Sequence, residues 1–251
     1  MITTLNAILL IGAGVIAGVM GSAGGITSLI SYPALLAIGI PPLPANVTNA
    51  VALAAAFPGS ALGSRLELKG QGPWLRRWAL TAVLGGVVGV ALLLITPDRV
   101  FNRIVPFLLA AAALVLLAQP RISRWHKSRL QRGTKYMLPV GLFVVCIYGG
   151  YFGAGSGIMV LALLLLTVDQ EFARANALKN MILGVATVAV AAGYLLFGPV
   201  YVAAALLLGV GLLVGSFFGP SVARRVAGNA MRVFAALLGL GLAAWLWVAH
   251  G

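Results

Sequence analysis

Acidic residues are almost missing from this chain of 251 residues: four Asp and Glu stand against 17 Lys and Arg, and charged residues of both signs make up only 8% of it. A soluble domain needs about a quarter of its residues charged to hydrate its surface, so a water-exposed globular fold is excluded. The single cysteine, Cys146, rules out an intrachain disulfide and any multi-cysteine metal cage. The two histidines, His126 and His250, stand far apart and offer neither a catalytic pair nor a metal site. No charge occurs before Arg65, and Met1 to Asn6 carries no basic side chain, which argues against a cleavable signal peptide. Gly12-Ala13-Gly14-Val15-Ile16-Ala17 matches a dinucleotide fingerprint in letters only. No strand precedes it, and the first acid, Glu67, lies far beyond the ribose-binding position, so no cofactor is expected. With no nucleophile paired to a base, the chain does not read as an enzyme.

What is present is apolar: 61% hydrophobic residues, 32 glycines and a mean hydropathy of +1.07. Crossing a hydrocarbon core of roughly 30 Å takes about 20 helical residues, and unpaired backbone cannot face lipid, so each long apolar run predicts a helix. The runs are Leu5 to Met20, Ile26 to Ile40, Ala45 to Leu62, Trp78 to Ile95 and Ile104 to Ala118. After a basic break come Met137 to Tyr151, Ile158 to Val168, Ala173 to Tyr194, Val200 to Phe217 and Val233 to Val248. The expected fold is an all-α polytopic membrane protein with short or broken helices at its glycine-rich turns. The first two runs of each group are among the shortest, which leaves half-helices, tilted helices or a re-entrant pair open.

The excess of positive charge could suggest nucleic acid, but too little polar surface accompanies it to solvate such a domain. Apart from Lys179, the basic residues cluster in or beside the breaks, as the positive-inside rule requires of cytoplasmic loops. Arg65, Lys69, Arg76 and Arg77 follow the third run, and Arg121, Arg124, Lys127, Arg129, Arg132 and Lys135 fill the central break without an acid. Both breaks are assigned to the cytoplasm. Alternation then places Asp98, Arg99 and Arg103 outside, Arg174, Arg224, Arg225 and Arg232 inside, and the Phe197-Gly198-Pro199 turn outside. Trp74, Trp78 and Trp125 fall near the inner interface, and Trp245 and Trp247 near the outer one.

Five runs precede the central basic loop and five follow it, so homologous halves would be inverted in the membrane. Gly21-Ser22-Ala23-Gly24-Gly25-Ile26 aligns with Gly153-Ala154-Gly155-Ser156-Gly157-Ile158 at an offset of 132, and Asn49 aligns with Asn180 at 131. The expectation is one membrane domain over 1–251: repeat one at about 1–118, a cytoplasmic basic loop at 119–136 and repeat two at about 137–251. Duplicated breaks in hydrophobic segments point to a transporter's central site.

The glycine clusters, with Gly21, Ser22, Gly24 and Gly25 in one and Gly153, Gly155, Ser156 and Gly157 in the other, can turn backbone N–H groups towards an anion at a helix start. Close packing is the plainer reading of such spacing, as at Gly149, Gly153 and Gly157 or Gly211, Gly215 and Gly219. Asn46, Thr48 and Asn49 open the third run, and Asn176, Lys179 and Asn180 the eighth. Positions three or four apart share a helix face, so each set forms a polar stripe whose donors suit a partly dehydrated oxyanion or, alternatively, interhelical hydrogen bonding. Lys179 is the sharpest signal, because a cation inside an apolar helix costs roughly 2.5 to 3.5 kcal/mol on insertion scales. It requires an anionic partner, unless it snorkels to the interface beside Arg174. Glu67, Asp98, Asp169 and Glu171 all fall in loops or at interfaces, so a midplane carboxylate relay is not expected.

At these duplicated segments the chain resembles the sulfite exporter TauE/SafE family. The resemblance rests on Gly21-Ser22-Ala23-Gly24-Gly25, Tyr32-Pro33-Ala34-Leu35-Leu36, Gly39-Ile40-Pro41-Pro42 and Ala45-Asn46-Val47-Thr48-Asn49 in the first half. In the second it rests on Gly149-Gly150-Tyr151-Phe152-Gly153-Ala154-Gly155-Ser156-Gly157 and Arg174-Ala175-Asn176-Ala177-Leu178-Lys179-Asn180. It implies a transporter in the bacterial cytoplasmic membrane, exporting small sulfur-containing anions such as sulfite, sulfoacetate or other organosulfonates. The first half has Thr48 where the second has Lys179, so the site's charge would be asymmetric. An anion channel and a non-transporting scaffold subunit remain the alternatives, and assembly as a homodimer is left open.

Overall fold

The structure is a computed structural model that describes residues 3–125, 134–168 and 171–225, with isolated positions between 237 and 248. Its helices are α1 (Thr4–Gly24), α2 (Ser28–Ala37), α3 (Pro42–Leu53), α4 (Ala56–Gly63), α5 (Gly72–Leu94), α6 (Asp98–Trp125), α7 (Thr134–Tyr151), α8 (Ser156–Thr167), α9 (Phe172–Phe197) and α10 (Val202–Arg225). No strand occurs among the described residues. Four helices, α1, α5, α9 and the Val202–Val222 part of α10, are long and apolar enough to cross a bilayer. Large apolar side chains such as Leu5, Ile8, Leu80 and Leu206 lie on the outside, as a lipid-facing surface demands. The chain is an all-α polytopic membrane protein.

The apolar runs foretell most of these helices, with instructive differences. The run Ala45 to Leu62 is two helices, not one, because Pro58 has no N–H for the Ala54 carbonyl and the chain tightens at Ala54 and Ala55. Ala54 O instead accepts from Phe57 N at 3.2 Å. Asp98, Arg99 and Arg103, expected in or beside the break at the outer interface, belong to the first turns of α6, where Asp98 faces the partial positive charge of the helix start. The expected loop 119–136 is shorter, since α6 runs to Trp125 and α7 starts at Thr134. Residues 126–133 and Asp169 lie outside the described residues, as does half of the tenth run, whose described positions are helical.

α2 and α8, with ten and twelve residues, rise only about 15 and 18 Å, roughly half a crossing. α1 packs along α10, and α7 along α5; α4 packs on α10, and α9 on α5. A two-fold exchange of the halves would produce these same pairs. Glycine sets their separation. Methyl groups on Gly14 and Gly18 of α1 would strike the backbone of α10, and those on Gly211 and Gly215 would strike α1. Gly85, Gly89 and Gly150 do the same between α5 and α7. In lipid, where apolar side chains gain nothing by leaving the solvent, such close backbone approach supplies the attraction.

Candidate functional site

The two helix breaks meet at the centre of the molecule. α1 remains helical through Gly24 and breaks only over residues 25–27, whereas α7 ends at Tyr151 and the chain turns over residues 152–155. Gly25 ends α1 with φ 83° and Gly155 precedes α8 with φ 79°, both in the left-handed region open to glycine. A Cβ on Gly157 would lie 2.7 Å from Gly25 Cα, and one on Gly25 2.6 Å from the carbonyl carbon of Gly157. These residues are 132 apart, the offset that aligns the clusters.

The third run of each half holds the end of the other half's first helix. Asn176 Nδ2 and Asn180 Nδ2 both donate to Ser22 O, at 2.7 and 2.9 Å, and Lys179 Nζ donates to Gly21 O at 3.0 Å. In return, Asn46 Nδ2 of α3 donates to Tyr151 O at 2.9 Å, while Gly150 O accepts from Tyr194 OH of α9, within its own half. The last carbonyls of a helix carry partial negative charge, so amides and an ammonium suit them; Gly21 O accepts from Gly25 N at 2.6 Å as well as from Lys179. Lys179 is only 1% exposed and so does not snorkel.

Beside these ends lies a cavity of about 120 Å³, room for a small polyatomic ion or a few waters. Both halves line it. α1 contributes Gly18, Gly21 and Ser22, the first break contributes Gly25 and Thr27, and α2 contributes Ser28. From the second half come Cys146, Gly149 and Gly150 of α7, Gly153, Ser156, Gly157, and the α9 face of Lys179, Asn180, Gly184 and Thr187. Among the described residues, Lys179 is the only charged side chain in the lining. The starts of α2 and α8 reach the cavity, bringing their partial positive charge. Among the described residues no three His, Cys, Asp or Glu side chains gather, and the donors on offer are the Lys179 ammonium, the Asn180 amide, the hydroxyls of Thr27 and Ser28, and backbone; the hydroxyls of Ser22, Ser60, Ser156 and Thr187 donate to backbone carbonyls.

Residues 8–246 match the family described as sulfite exporter TauE/SafE. The chain belongs to that family. It is 28% identical over 236 residues to the probable membrane transporter protein ORF9 of Sinorhizobium sp, covering 92% of this chain and 88% of that one. The probable membrane transporter protein of Haemophilus influenzae is 33% identical over 156 residues, 59% of this chain and 58% of its own. Escherichia coli YfcA, also named a probable membrane transporter protein, is 25% identical over 212 residues, 84% and 77% of the two chains. No solved structure matches. A multi-pass membrane transporter, not an enzyme, is what these relationships indicate.

Against that family background, the residues singled out in the sequence divide in two. Gly21, Ser22, Gly25, Gly153, Ser156, Gly157, Lys179 and Asn180 line the cavity; Gly24, Asn46, Thr48, Asn49, Gly155 and Asn176 are not among its lining residues. Asn46 and Asn176 tie helices together as described. Thr48 Oγ1 accepts from Tyr201 N at 3.0 Å. Asn49 accepts from Ser31 Oγ at 2.6 Å and donates to Ser28 Oγ at 3.2 Å, so it positions a hydroxyl that does line the cavity. Thr27, Ser28, Ser60, Thr187 and Phe57 line it without having been singled out. Thr187 had a signal, since it lies seven residues beyond Asn180 on the same helix face. Ser28 follows the first glycine break by three residues, where a helix start would place it.

Proposed function

We propose that this transporter exports a small sulfur-containing oxyanion, sulfite or an organosulfonate, from the bacterial cytoplasm. The site is the central cavity, and two inverted halves rock about it to expose it to each side in turn. The observation that carries this reading is a cavity between duplicated helix breaks in which, among the described residues, Lys179 is the one charged side chain and no acid lines the wall. Hydroxyl groups and helix starts replace part of the ion's hydration, while their modest individual strength permits release. Membership of a sulfite exporter family supports the sulfur chemistry, and an inside-negative potential favours exit by about 2.3 kcal/mol per charge per 100 mV.

The test is a thermal-shift screen of the purified protein against sulfite, sulfate, thiosulfate, taurine, sulfoacetate and simple carboxylates, followed by flux into proteoliposomes. Stabilisation by sulfur oxyanions and a flux that saturates and shows counterflow are expected. Stabilisation by carboxylates alone, or by no anion, would remove the assignment, and a flux that never saturates would indicate a channel.

A further inference from the structure

Four helix ends surround the cavity, and their fractional charges offset one another. α1 and α7 bring C-terminal carbonyls, with about half a negative charge each, and α2 and α8 bring N-terminal amides, with about half a positive charge each. What remains is the single full charge of Lys179. Its Nζ has three N–H bonds and uses one on Gly21 O at 3.0 Å, leaving two for a ligand. Among the described residues that line it there is no second cation for another negative charge and no carboxylate to compensate an empty site. An unmatched charge enclosed in low dielectric is expensive, so the cavity is balanced when it holds one negative charge, and unbalanced when it holds none or two.

We propose that the cavity selects singly charged oxyanions over doubly charged ones of the same size, with Lys179 as the matching charge. This rests on the function proposed above and narrows its substrate class to monoanions such as hydrogen sulfite or an alkanesulfonate. It also locates the effect of voltage. The loaded site moves through the membrane with no net charge, and the empty site returns carrying Lys179's charge, so the membrane potential acts on the return step.

Methanesulfonate and sulfate share a tetrahedral sulfur and nearly the same size, and differ by one charge. In wild-type protein, methanesulfonate is expected to bind at least about tenfold more tightly than sulfate at equal ionic strength, a difference that Lys179→Gln abolishes. Sulfate binding as tightly as methanesulfonate overturns the charge match but leaves a sulfur-oxyanion carrier standing. If neither binds while carboxylates do, the proposed function itself fails. A second measurement needs only wild-type protein. Exchange of methanesulfonate across proteoliposomes with saturating substrate on both sides passes through loaded states alone. Its rate is expected to stay constant when a potassium diffusion potential is imposed, and a rate that follows the potential overturns the proposal.

Discussion

Lys179 is the eighth residue of α9, and its ammonium is held by a backbone carbonyl, not by a carboxylate. Removing it deletes a buried charge together with one charge-assisted hydrogen bond, and these stability effects oppose each other. Lys179→Met is therefore expected to insert and purify as the parent does, while anion flux in proteoliposomes falls about tenfold or more, since one such bond to substrate contributes about 1.5–3 kcal/mol. Undiminished flux would remove Lys179 from the site. Two glycines beside the breaks separate packing from mere flexibility. A methyl on Gly157 would sit 2.7 Å from Gly25 Cα, an overpacking that costs about 1–3 kcal/mol, whereas a methyl on Gly24 meets nothing within 4 Å. Gly157→Ala is expected to lower the melting temperature and abolish substrate stabilisation, and Gly24→Ala to match the parent in both. If Gly157→Ala melts with the parent, the two breaks do not abut.

At the level of helices, the reciprocal caps differ in redundancy. Tyr151 O accepts from Asn46, while Ser22 O accepts from both Asn176 and Asn180. Leaving a buried carbonyl without a donor costs about 1–3 kcal/mol, and Asn176 also carries a buried Oδ1 with no hydrogen-bond partner. Asn46→Ala is therefore expected to lower the melting temperature in detergent more than Asn176→Ala does; equal losses would show that these amides do not secure the helix ends. How much of this was legible in the sequence follows from the kind of signal each residue gives. Glycine clusters, asparagines and a lysine stand out against an apolar background, so the breaks, their duplication and the eight lining residues named above could be found. Hydroxyls do not stand out, because Ser60 and Thr187 donate to their own helices at Phe57 O and Leu183 O, as packing residues do. Neither could the sequence alone show that α1 stays helical through Gly24, since packing against α10 overrides the low helix propensity of glycine. Asn46 and Asn176 have the polarity of ligands, but contacts with the opposite half decide their role.

Across the whole molecule, two distant charged segments meet. Glu67, Lys69 and Gln71 from the α4–α5 connection line one surface pocket with Glu171 and Arg174 at the start of α9, although about a hundred residues separate the two segments. Charge patterning assigned both segments to the cytoplasm, and their meeting at one end is what a single orientation of the chain requires. The far end of α9 carries Phe197 and the uncharged turn after it, close to Tyr201, whose N–H reaches Thr48. An inverted arrangement of repeats is acceptable only if these ends emerge on opposite sides of the bilayer. The lone buried cysteine makes the question experimentally clean. In a Cys146→Ala background, Lys69→Cys and Phe197→Cys each place one thiol at an exposed position on one end of the molecule. A membrane-impermeant thiol reagent added to intact cells is expected to label Phe197→Cys at once and Lys69→Cys only after the membrane is opened. The opposite pattern would turn the transporter over and place its basic loops outside, and equal labelling of both would defeat the two-sided arrangement on which alternating access depends.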